Sequence, residues 1–82
     1  MSFEALLIDD NRPPDIVDES AAPATTYIGW VTPGTVDPSE AKFKIKRVTV
    51  AASITTTMWA EGNRNYDKIW NNRAALNYSY LK

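Results

Sequence analysis

The chain contains no cysteine and no histidine, only three glycines, and no long apolar run. Without cysteine there is no disulfide, and without cysteine and histidine the usual zinc sites are excluded. The commonest general base and the thiol nucleophile are missing as well. Catalysis would fall to carboxylates, lysines or hydroxyls. The acids beyond residue 25 are few and scattered, with no pair on an obvious shared face, so neither an enzyme nor a cofactor is expected. No segment approaches the roughly 20 apolar residues of a membrane span. The opening "MSFEALLIDD" lacks a cationic start, and its apolar run stops at Asp9. No secretory signal is read there.

At 82 residues, one domain is the sensible count. A domain this small buries a modest share of its surface and needs a staple. With disulfide and metal excluded, the staple left is self-association or docking on a larger assembly.

The net charge of −1 hides an asymmetry. Residues 1–25 carry Glu4, Asp9, Asp10, Asp15, Asp18 and Glu19 against Arg12, a net of −5. Residues 26–82 carry eight cations and four acids, a net of +4. An acidic segment beside a basic body invites contact between them, within one chain or between neighbours. "NRPPDIVDESAAPAT" has neither helical nor strand periodicity. Residues 1–25 are read as an extended acidic arm, with a floppy terminus as the alternative, and 26–82 as a small β domain. Phe3, Leu6, Leu7 and Ile8 give the arm an apolar group that a purely solvating tail has no need of.

"TTYIGWV" is rich in β-branched and aromatic residues and reads as a strand. Tyr27, Gly29 and Val31 would face one side, Ile28 and Trp30 the other. Pro33-Gly34 marks a turn. In "KFKIKRVTVAA", Phe43 and Ile45 alternate with Lys42, Lys44 and Lys46. The period then slips, since Val48 and Val50 fall on even positions, and a β-bulge near Lys46-Arg47 would restore one buried face. "SITTTMWA" reads as the next strand, joined by a tight hairpin at Ala51–Ser53. After Glu61-Gly62-Asn63, another turn, Tyr66, Ile69, Trp70 and Arg73 follow helical spacing, with an irregular loop pinned by aromatics as the alternative. Asp67 and Arg73 are a candidate ion pair there. "LNYSYL" closes as a strand. The expected fold is mainly β: an antiparallel or barrel-like sheet of about four strands, one short helical segment and the extended arm.

The Lys42, Lys44, Lys46 and Arg47 run resembles a nucleic-acid platform in composition. Stacking aromatics should share the basic face, however, and Phe43 points away from it. The run reads better as a solvated or edge-protecting row, or as a seat for the acidic arm. Trp59 and Trp70 are read as core. Trp30, which precedes the Pro-Gly loop, is read as an interface anchor.

The segments "YIGWVTPGT", "FKIKRVTV" and "TTTMWAEGNRNYDKIWNNRAALNYSY" carry a further pattern. Tyr27-Ile28-Gly29, Pro33-Gly34-Thr35, Ile45-Lys46-Arg47, Trp59 to Asn63, Tyr66-Asp67, Ile69-Trp70, Asn72-Arg73-Ala74 and Tyr78-Ser79 together resemble small virion-associated proteins of tailed bacteriophages. The resemblance covers about residues 26–80 and leaves the arm mostly outside. It implies a structural protein of the particle, made in the host cytoplasm and located in the virion. The expected type is capsid decoration or cement. A small tail or head–tail accessory, or a host-directed adaptor or nucleic-acid-binding module, stands as the alternative. The expected partners are copies of itself and a major capsid, portal or tail protein, with no membrane. The expected contact residues are Phe3, Leu6, Leu7, Ile8, Trp30, Lys42, Lys44, Lys46 and Arg47.

Overall fold

The structure, a computed structural model, describes residues 13–21, 24–35 and 37–81. Five strands form one open antiparallel sheet: β1 (Ile16–Asp18), β2 (Thr25–Val31), β3 (Phe43–Ala51), β4 (Ile54–Ala60) and β5 (Tyr78–Ser79). Their spatial order is their order in sequence. The sheet is mainly β as expected, with five strands rather than four. It stays open rather than closing as a barrel, because β1 and β5 are its two edges.

The register explains why no bulge is needed. β2 and β3 pair without interruption from Thr25↔Thr49 to Val31↔Phe43, and β3 pairs β4 from Lys46↔Trp59 to Ala51↔Ile54. The slip in the apolar period of β3 has another cause, which is that the strand is buried on both faces. Ile28, Trp30, Val48 and Trp59 form one core cluster, with Tyr66 packed against it. Phe43, Ile45, Ala60 and Trp70 form another. Paired residues share a face, so Ile28↔Lys46 and Trp30↔Lys44 place both lysines with the first cluster, and Gly29↔Ile45 lies on the second.

The β3–β4 turn brings two consecutive non-glycine residues into the left-handed region, Ala52 at φ 51° and Ser53 at φ 70°. Two positive φ values are what a type I′ hairpin requires, and Asn-Gly is the pair that adopts them most readily. L-residues there cost roughly 1–2 kcal/mol each. The double substitution Ala52→Asn, Ser53→Gly is therefore expected to raise stability by about 1–2 kcal/mol. A higher urea midpoint at unchanged slope would show it. A lower midpoint would refute the turn assignment.

After β4 the chain turns at Glu61 (φ 57°) and Gly62 (φ 69°), where the Gly62 amide donates to the Trp59 carbonyl at 3.0 Å. Helical spacing beyond Gly62 does not produce an α-helix. Lys68 exchanges two backbone hydrogen bonds with Phe43, each 2.9 Å, on the side of β3 that β2 does not occupy. Only then does a single 3-10 turn form, at Trp70–Asn72. Tyr66 thus goes to the Trp30–Trp59 cluster, while Trp70 packs on the other face. The two aromatics plug opposite sides of the sheet rather than one.

β1 is the other departure. The folded unit starts before residue 25, because Ile16, Val17 and Asp18 pair with Gly29, Ile28 and Tyr27. Arg73 fixes this edge: its Nε donates to Asp18 Oδ2 at 2.8 Å. The expected Asp67–Arg73 pair is replaced by Asp18–Arg73, while Asp67 pairs with the adjacent Lys68. Among the described residues, this pair is a within-chain contact between the acidic segment and the basic body.

Asp18 is acidified by the hydroxyl and amide of Ser20, and next by the Arg73 guanidinium, which together hold its carboxyl at about 2 against an ordinary 3.8. A carboxylate lowered in the folded state contributes stability that is fully present above the unfolded value and is lost as pH falls through the folded one. The native protein should therefore lose stability from pH 3.8 down toward about 2. Asp18→Asn should flatten that part of the profile in thermal melts. An unchanged acid limb in the variant would exclude Asp18 as its source.

Candidate partner-binding surfaces

Phe3, Leu6, Leu7 and Ile8 lie outside the described residues. The other expected contact residues do not share one surface. Trp30 has 0% exposure and stacks on Trp59 at 6.1 Å with a 28° interplanar angle. It is core, not an exposed anchor, because β2 lies inside the sheet and Trp30 sits on one of its two packed faces.

The lysines also depart from the solvated row. Lys42 is exposed just before β3. Lys44 has 0% exposure and Lys46 4%. They cannot protect an edge, because β3 is the central strand. Instead they lie among rings. Lys44 Nζ is 5.3 Å from the Trp30 ring centroid and 4.9 Å from that of Tyr66. Lys46 Nζ is 5.3 Å from both Trp30 and Trp59. Ring faces carry negative quadrupole density, so they stabilise an ammonium removed from water, and the aliphatic stems add apolar contact. Arg64 extends the layer, its guanidinium 5.7 Å from the Trp59 ring.

Arg47 stands on the opposite face. Its guanidinium lies 4.5 Å from the Tyr78 ring, and Nη2 donates to Met58 Sδ at 3.6 Å. Its Nε is buried with no hydrogen-bond partner among the described residues. Tyr78 in turn donates its hydroxyl to the Arg73 carbonyl at 2.8 Å, and burial pushes its phenol up from the ordinary value. The four cations read as one basic run are thus divided among solvent, an aromatic layer and the far side of the sheet.

Lys68 is the third buried lysine, at 2% exposure, and sequence periodicity gave no sign of it. It donates to Asn63 Oδ1 at 2.8 Å and pairs with Asp67. Asn63 also accepts from the Asn65 amide at 3.0 Å, so one side chain closes the turn and holds the lysine.

A groove of about 210 Å³ opens between β1, the end of β2 and the loop before β3, and its lining includes Ile16, Val31, Pro38 and Phe43 together with the acids Asp15 and Asp37. Asp15 Oδ2 accepts the Val31 amide at 2.8 Å. The Ser39 amide and hydroxyl hold Asp37 below the usual carboxylate range. Exposed apolar side chains are scattered: Val17 on β1, Ile54 at the hairpin, and Tyr80 and Leu81 after β5.

No family model matches this chain, and no curated protein or solved structure is significantly similar to it. Among the described residues, no group of three acidic side chains gathers as a metal site would require, and no helix is long and apolar enough to cross a membrane.

Proposed function

We propose that this protein is a structural component of a tailed-bacteriophage virion, of capsid decoration or cement type. It would act through non-covalent contacts of its N-terminal segment and its β domain with copies of itself and with the major capsid protein. The observation that carries this reading is what the motif block from Trp59 to Ser79 does in the fold. Trp59 and Tyr66 fill one face and Trp70 the other, Gly62 turns the chain, and Arg73 ties down β1. The most characteristic residues of the chain are spent on making a two-faced platform. A particle protein needs such a platform, because its role is to present surface.

The contact regions are then the parts outside that block: the apolar group Phe3, Leu6, Leu7 and Ile8, the groove beside β1, and the scattered apolar residues at the hairpin and chain end. Quantitative mass spectrometry of purified particles tests the reading. Decoration predicts a copy number comparable with the major capsid protein. A number comparable with the portal would move the protein to the neck or tail, and its absence from particles would overturn the virion assignment. The truncation that probes the arm removes residues 1–12 and spares β1. It is expected to reduce occupancy while the sheet stays folded.

A further inference from the structure

The edges of the sheet are guarded unequally. β1 is three residues long, follows Pro13-Pro14 and ends in Asp18. β5 is two residues long. Shortness, proline and charge all keep an edge from pairing with another chain. β4 offers an edge as well, because β5 covers only part of it. β5 pairs with Trp59 and Ala60, and the chain leaves the strand at Tyr80. No described strand pairs with the outer side of Ile54–Thr57. That stretch reads Ile-Thr-Thr-Thr: every residue is β-branched, and none is charged, proline or glycine. It combines strong strand preference with none of the guards. Thr55 is exposed, and Ile54 is 66% exposed.

We infer that the open edge of β4 is an interaction surface, and that its partner is the same edge of a second copy, antiparallel about a two-fold axis at Thr56. The phase of the backbone carries this. Phe43 exchanges its hydrogen bonds with Lys68 on the β4 side of β3. Alternation along β3 then makes Arg47↔Met58, Thr49↔Thr56 and Ala51↔Ile54 the hydrogen-bonded pairs. Thr55 and Thr57 therefore aim their amides and carbonyls away from β3. Glu61 agrees with that phase, since its amide donates to the Asn77 carbonyl on the same outer side. Outward groups spaced in this way are self-complementary. Thr55 meets Thr57 of the second copy, Thr57 meets Thr55 of the second copy, and each pair exchanges both backbone bonds. Thr56 then faces its own copy across the axis, and Ile54 lies opposite Met58 of the second copy. Cross-strand threonine pairs are favourable, and an uncharged edge brings no repulsion between copies. Such an interface is isologous and closes at two copies. The open stretch spans only about 13 Å, which places the dimer in the weak class, below about 1,200 Å² of buried surface.

This pairing is a property of the protein in solution and does not rest on the virion reading, so copy number on particles and dimerisation in solution fail separately. Sedimentation velocity of the full-length protein, from micromolar to millimolar concentration, should show a monomer–dimer equilibrium. Thr56→Lys and Thr56→Glu each set like charges directly opposite one another at the axis, and each variant alone should stay monomeric. Their equimolar mixture should regain the dimer, because unlike charges then meet there. Far-ultraviolet circular dichroism follows the fold of each variant. Thr55→Pro is an independent check, because its ring removes an outward amide without removing a bond to β3. It should keep the sheet and lose the dimer. An unsubstituted protein that stays monomeric at millimolar concentration would overturn the proposal, as would its growth beyond dimers. Dimers that survive Thr55→Pro or the Thr56 charges, or a mixture that stays monomeric, would overturn it equally.

Discussion

Trp30→Ala is expected to remove a large share of the protein's stability. Removing a fully buried tryptophan costs about 3–5 kcal/mol through lost transfer energy and the cavity left behind. Loss of the stacked partner of Trp59 adds roughly 0.5–1.5 kcal/mol beyond buried area. A natural domain has about 0.05–0.15 kcal/mol of stability per residue, or about 4–12 kcal/mol over 82 residues. The loss is thus a large share of the whole and reaches past the lower end of that range. It would also withdraw a ring from both Lys44 and Lys46, so two buried ammonium groups would lose part of their surroundings together. Urea denaturation followed by far-ultraviolet circular dichroism decides the matter. A variant with an unchanged midpoint would mean that Trp30 is an interface residue after all. Trp30→Phe, which keeps a ring in place, should lose much less than the alanine variant.

Gly29→Ala should destabilise the protein, although adding a methyl group to a glycine in a strand usually helps. Glycine in a strand interior costs roughly 0.5–1 kcal/mol relative to alanine, so the ordinary expectation is a gain of that size. Here a Cβ would meet the Trp70 ring at 2.7 Å and 2.9 Å and Ile16 Cγ2 at 2.9 Å. The ring has little room to withdraw, because it packs on Phe43 at 6.0 Å between centroids and carries the Arg73 guanidinium at 4.8 Å. Overpacking of this kind costs about 1–3 kcal/mol, which exceeds the conformational gain. The expected outcome is a net loss of about 1–2 kcal/mol. Combining Gly29→Ala with Trp70→Phe, which deletes the clashing ring atoms, should lose less than the sum of the two single changes. Strict additivity in the double-mutant cycle would show that the two residues are not coupled.

The main sheet was largely legible in the sequence because its strands obey a period of two. Tyr27, Gly29 and Val31 do face away from Ile28 and Trp30, and the links at Ala51–Ser53 and Glu61–Asn63 are tight turns. Three features were not legible, each for a physical reason. β1 is a three-residue strand between prolines and a serine, made by its pairing and by Asp18–Arg73 rather than by its own preference. The helical spacing from Tyr66 to Arg73 comes from a segment that sends side chains to opposite faces, with its backbone tied to Phe43 at Lys68. The lysines misled most. Alternation of lysine with phenylalanine and isoleucine implies a wet face only if the ammonium groups must reach water. Rings on β2, β4 and the following loop remove that need, so the basic run on β3 became interior. No local signal in "KFKIK" reports which tryptophans will stand beside it.

The two-sided burial of β3 has a consequence for how its pairing is policed. In a sheet with one wet face, a slip by one residue exposes apolar groups to water, and that exposure selects the correct alignment. Here both faces are dry, so the same slip would expose little. It would instead exchange Lys44 and Lys46 with Phe43 and Ile45. Two ammonium groups would move from the Trp30–Trp59 rings to the Trp70 side, which is closed by Gly29 and Ile16. The lysines, costly as buried charges, thereby act as alignment marks: only one pairing of β3 gives both of them their aromatic surroundings.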